Sequence, residues 1–83
     1  MVLTLDLGNT TMHGGVFEGD KLLFQFRRTS DTRASSDEIG VFLRSVIREN
    51  GADPSNVRHI AICSVVPDAI HSVRNACQKY FGL

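Results

Sequence analysis

The chain has 83 residues, with 9 basic and 9 acidic side chains and 42% apolar content, which makes one small domain that buries only about 60% of the surface its unfolded form exposes. Charges that cancel, with no basic cluster beyond Arg27-Arg28, argue against a surface that tracks a nucleic-acid backbone, and no apolar run approaches the roughly 20 residues needed to span a bilayer. The amino terminus also lacks the basic start and apolar core of a signal peptide, so the expectation is a soluble, cytoplasmic protein with no nucleic-acid or membrane partner.

Val2 to Leu7 is apolar enough for a buried strand, and it ends in the stretch Asp6-Leu7-Gly8-Asn9-Thr10-Thr11, a carboxylate followed by a glycine and three small polar residues. This is the composition of a phosphate-holding turn. Gly8 is free to take positive φ and to approach a ligand, while Asn9, Thr10 and Thr11 offer backbone N–H groups, an amide and two hydroxyls to anionic oxygens. Asp6, at the strand end, is suited to hold Mg²⁺ directly or through water. An ordinary Asn-containing hairpin turn with an incidental aspartate accounts for the same residues. Residues 12–17 resume an apolar strand, in which Gly14-Gly15 points to a bulge or to the close approach of another backbone or a ligand. Glu18-Gly19-Asp20 is a hairpin turn, and 21–28 form a third strand with Leu22, Phe24 and Phe26 alternating with Leu23, Gln25 and Arg27.

Thr29 to Ala34 is polar and aperiodic, hence a loop. Ser35, with Glu38 three residues on, forms a capping box that opens a helix over 36–50, and Ile39, Phe42, Leu43, Val46 and Ile47 give it one apolar face. Capping and the helix dipole explain Asp37 and Glu38 without a catalytic role. After the connection around Pro54, a short apolar run over 58–63 reads as a strand covered on both faces and paired in parallel through a right-handed crossover. Pro67-Asp68 opens a second helix over 67–81, with Ile70, Val73, Cys77 and Tyr80 or Phe81 on its apolar side and Gly82 closing it. Cys63 and Cys77 have no metal-ligand spacing and read as reduced core thiols, and His13, His59 and His71 as surface or packing residues.

The order strand, strand, strand, helix, strand, helix, with a polar turn between the first two strands, resembles the opening of an actin-like ATPase domain. In detail the chain resembles the type III pantothenate kinases. The matching pieces are Asp6-Leu7-Gly8-Asn9-Thr10, Gly19-Asp20, Ser36-Asp37-Glu38-Ile39-Gly40, Ser64-Val65-Val66-Pro67 and Cys77-Gln78-Lys79-Tyr80-Phe81, which cover essentially the whole chain in order. The resemblance implies an α/β, ribonuclease H-like half-domain over residues 1–83, incomplete at its C-terminus. It further implies that Asp6, Leu7, Gly8, Asn9, Thr10, Thr11, Met12 and His13 follow the ATP-contacting segment, with Asp6 near Mg²⁺. The implied reaction moves the γ-phosphoryl group of ATP to pantothenate in coenzyme A biosynthesis, with K⁺ or NH₄⁺ as a further cofactor and a homodimer as the full-length state.

The sequence departs from the family in length. It lacks the Gly-x-Asp-Arg motif that carries the family's base, the monovalent-cation site and most of the pantothenate pocket, so the chain alone is expected to be inactive. Asp31, Asp37 and Asp68 lie in loop or capping positions and none takes over as base. The outer edge of the strand at Ile60 to Cys63 is expected to be open. Two non-enzymatic readings compete: a regulatory module related to transcriptional accessory factors, and a phosphate-binding module that another chain completes through that open edge.

Overall fold

The computed structural model describes all 83 residues. β1 (Val2–Leu7), β2 (Thr11–Glu18) and β3 (Lys21–Thr29) form an antiparallel meander, α1 (Ser36–Glu49) carries the chain across it, β4 (His59–Ser64) pairs with β1 in parallel, and α2 (Pro67–Phe81) follows. The sheet order is β3-β2-β1-β4. This mixed four-stranded α/β architecture is consistent with half of an actin-like domain and agrees with the expected fold class. The predicted elements are all present: β2 gains a residue at each end and β3 one at its last, β4 is shifted along by one, and α1 ends one residue early, with Asn50 as its cap. One element went unpredicted: Pro54–Asn56 forms a single 3₁₀ turn, with the Asp53 side chain accepting the Ser55 N–H at 2.9 Å.

Strand periodicity decides which face is the core. In β1, Leu3, Leu5 and Leu7 are buried while Val2, Thr4 and Asp6 face the other way, as a two-residue side-chain period requires. Both helices pack over the leucine face and against each other, and Ile39, Leu43 and Ile47 of α1 and Val73, Ala76 and Cys77 of α2 complete the core there. Truncating the fully buried Leu43 to alanine would remove about 2–5 kcal/mol. At Gly14, opposite Leu5 on β2, the structure shows neither the bulge nor the approaching backbone or ligand expected of the glycine pair, but a side chain. The neighbour that comes near is the Phe26 ring, whose atoms lie 2.2–2.6 Å from where a Cβ would sit. The strand irregularity itself falls further along, between Val16 and Phe17. Phe26 then meets Phe42 of α1 edge-on, 5.9 Å between ring centres.

The helix ends behave as their sequences dictate. Ser35 Oγ accepts the Glu38 N–H at 3.1 Å while Glu38 Oε1 accepts the Ser35 N–H at 3.2 Å, completing the capping box. Gly82 ends α2 in the left-handed region. Asp37, in the first turn of α1, accepts from Lys79 Nζ at 2.8 Å and Tyr80 Oη at 2.6 Å, which clasps the start of α1 to the end of α2.

The expected burial of β4 on both faces is corrected. His59, Ala61 and Cys63 are exposed and Ile60 and Ile62 are half-buried, because β4 is an edge strand and both helices lie on one side of the sheet. The edge itself is open, as expected. With that correction Cys63 ceases to be a core thiol. Cys77 remains one, and burial pushes its thiol up to about 11.

Candidate functional site

The turn joining β1 to β2 is built by backbone and by one distant side chain. Gly8 donates its N–H to the Thr11 carbonyl at 3.0 Å, closing a tight loop around Asn9 and Thr10. Positive φ at Gly8 was expected and does not occur; that conformation is confined to Gly19, Gly51 and Gly82. Glycine is required at position 8 for a different reason: a Cβ there would stand 2.9 Å from the Thr11 carbonyl oxygen. Ser30, after β3, donates its N–H to the Thr10 carbonyl at 2.9 Å and its hydroxyl to the Gly8 carbonyl at 2.8 Å. By contrast, the Asn9 and Thr10 N–H groups donate to nothing within the chain.

The predicted site residues are contiguous in this turn but divide between the two faces of the sheet. Leu7, Gly8, Asn9 and Met12 line a cavity of about 240 Å³ on the helix-covered face, closed opposite by Arg28 and Ser30 and by the first turns of α2. Asp6 and His13 are register partners on the other face, where Cys63 of β4 and Arg27 of β3 extend the same row across all four strands. All four of these side chains are exposed. Thr10 is exposed at the tip and Thr11 half-buried at the start of β2.

Asp6 fits a metal held chiefly by water and phosphate. Its carboxylate enters no hydrogen bond or ion pair within the chain, and no three His, Cys, Asp or Glu side chains assemble into an all-protein cation site. One carboxylate supplemented by substrate oxygens is the arrangement Mg²⁺ prefers at a nucleotide. Two of the acids set aside as bases, Asp31 and Asp37, are already engaged. Asp31 accepts from the Arg33 backbone N–H at 2.9 Å and from its guanidinium at 3.3 Å, and these hold its carboxyl below the usual range. Asp37 is held low by its bonds to Lys79 and Tyr80. Asp68 is the exposed acid in the first turn of α2.

Arg28 and Ser30 are the site residues that sequence reasoning missed. Arg28 is stacked over Phe42, 5.4 Å from the ring centre. Ser30 sits in a loop without periodicity, and its bond to Gly8 spans 22 residues, so no local pattern marks it.

A family model described as type III pantothenate kinase matches residues 2–83. The chain belongs to the type III pantothenate kinase family. It is 54% identical over 83 residues to a type III pantothenate kinase of Elusimicrobium minutum and 52% identical to one of Legionella pneumophila strain Corby, in each case over all of this chain and 32% of the relative. It is 43% identical to type III pantothenate kinase 1 of Francisella tularensis strain SCHU S4, again over the whole chain and 33% of that protein. The chain therefore spans about a third of the length of the curated pantothenate kinases it matches, and the donor-rich turn lies within the matched segment. No helix is long and apolar enough to cross a membrane.

Proposed function

We propose that this chain is the ATP-phosphate-binding amino-terminal part of a type III pantothenate kinase, which transfers the γ-phosphoryl group of ATP to pantothenate in coenzyme A biosynthesis. The observation that carries the reading is the pair of unengaged N–H donors at Asn9 and Thr10, in the turn that follows the strand carrying the free carboxylate of Asp6. Donors set in advance towards a polyphosphate stabilise charge without reorganising when the phosphoryl group moves, and phosphoryl transfer depends mainly on such positioning.

In this reading Gly8, Asn9 and Thr10 surround the terminal phosphates, with Leu7, Thr11, Met12 and His13 completing the ATP-contacting segment. Asp6 holds Mg²⁺, directly or through water, and the bound ion supplies charge neutralisation on the phosphates. The base that accepts the pantothenate hydroxyl proton, the K⁺ or NH₄⁺ site and most of the pantothenate pocket belong to the part of the family's length that this chain does not span, as does the homodimer. The chain by itself is then half of a kinase site.

A coupled ADP-release assay with pantothenate, ATP, Mg²⁺ and K⁺, run beside calorimetric titration of ATP, tests this directly. The expected result is no turnover with weak, Mg²⁺-dependent ATP binding. Turnover would overturn the assignment of the base to a region outside the chain, and absence of any ATP binding would overturn the nucleotide reading.

A further inference from the structure

The geometry assigns Ser30 as the residue that makes the β1–β2 turn selective for anions. A four-residue turn carries acceptors as well as donors, and an anion is repelled by every carbonyl that faces it. Here both acceptors that bracket the turn are consumed from one side: the Gly8 carbonyl by the Ser30 hydroxyl and the Thr10 carbonyl by the Ser30 N–H. Drawing these two carbonyls towards Ser30 fixes the intervening peptide planes and leaves the Asn9 and Thr10 N–H groups unengaged. One residue therefore withdraws two of the carbonyls that an anion at the turn would face, leaving only that of Asn9 without a bond. Ser30 is a positioning residue, acting on phosphate through the turn, and it is half-buried.

The inference rests on the nucleotide reading above but goes beyond it, because it names where the selectivity for phosphate originates. Backbone bonding from the Ser30 N–H survives any side-chain change. Removing the hydroxyl therefore releases only the Gly8 carbonyl, and the loss should be partial.

The test compares adenosine, ADP and ATP binding, with Mg²⁺, to the 83-residue chain and to Ser30→Ala and Ser30→Thr, by calorimetry, with circular dichroism confirming the fold of each. For the unaltered chain ADP and ATP should bind more tightly than adenosine. Ser30→Ala should lose about five- to tenfold of that phosphate-dependent preference, the scale of one hydrogen bond, while adenosine binding stays unchanged and Ser30→Thr restores the preference. A merely structural role would lower thermal stability and weaken all three ligands alike, which would overturn the inference, as would a Ser30→Ala chain that keeps the full preference. Should Ser30→Ala not fold, Ser30→Cys, with its weaker thiol donor, makes the same comparison. An unaltered chain that binds adenosine and ATP equally would bring down the nucleotide reading itself, an outcome distinct from an unaltered preference in Ser30→Ala.

Discussion

Two glycine-containing turns reverse the chain in this sheet, and they are held in opposite ways. The β2–β3 turn is autonomous: Gly19 takes φ of +60°, and nothing lies within 4 Å of the place a side chain would fill. The β1–β2 turn avoids positive φ, crowds its glycine against Thr11 and depends on Ser30 from beyond β3. Local chemistry is enough to reverse a strand. The β1–β2 turn keeps the Asn9 and Thr10 N–H groups unengaged while a partner from elsewhere occupies two of its acceptors.

Four substitutions at or beside the two turns sharpen that contrast and a fifth lies outside them, beginning with the largest effect. In a full-length kinase carrying this segment, Asp6→Asn should lower phosphoryl transfer by about a hundredfold or more with an unchanged melting temperature, because Asp6 is exposed and packs against nothing in the core. Asp20→Asn at the other turn should leave kinetics untouched. Near-normal turnover in Asp6→Asn would sink the metal assignment.

Gly8→Ala should destabilise the chain by about 1–3 kcal/mol, since a backbone oxygen must move to admit the methyl group, and ATP binding should fall with it. Urea unfolding and ATP titration on the same samples check both effects. Gly19→Ala should cost about 1–2 kcal/mol, from left-handed strain alone, and leave ATP binding unaltered. Parallel losses of ATP affinity in the two glycine variants would erase the distinction between the turns.

The smallest effect lies away from both turns, in the clasp between the helices. Bonds from Lys79 and then Tyr80 lower the Asp37 carboxyl below 3.8, so its contribution is present above that value and is lost as pH falls through the lowered one. The bond to Asp37 raises both Lys79 and Tyr80 above 10.5 and 10.0, so their contribution is present below those values and is lost as pH rises through the raised ones. Asp37→Asn should flatten both flanks of a melting-temperature profile and leave ATP affinity at neutral pH unchanged.

Much of the fold was legible because its causes are local. The alternation in β1, the Ser35–Glu38 capping box, the apolar face of α1, Pro67 opening α2 and Gly82 closing it are all short-range statements about backbone and neighbouring side chains. The motifs were likewise enough to name the family, and the composition of the turn at Asp6 to Thr11 is what proposes it as a phosphate site. What the sequence left open turned on distance. That β4 lies at an edge and exposes Cys63, that Phe26 fills the space above Gly14, and that Asp37 is bound by Lys79 and Tyr80 all follow from strand order and helix placement. Ser30 is the sharpest case, because its hydroxyl meets a carbonyl 22 residues away only once three strands are in register. The sequence by itself determined the elements, their caps and the composition of the turn. Tertiary structure alone decided which face each site residue occupies and which polar groups of the turn stay free, because pairing and burial join residues that no local periodicity relates.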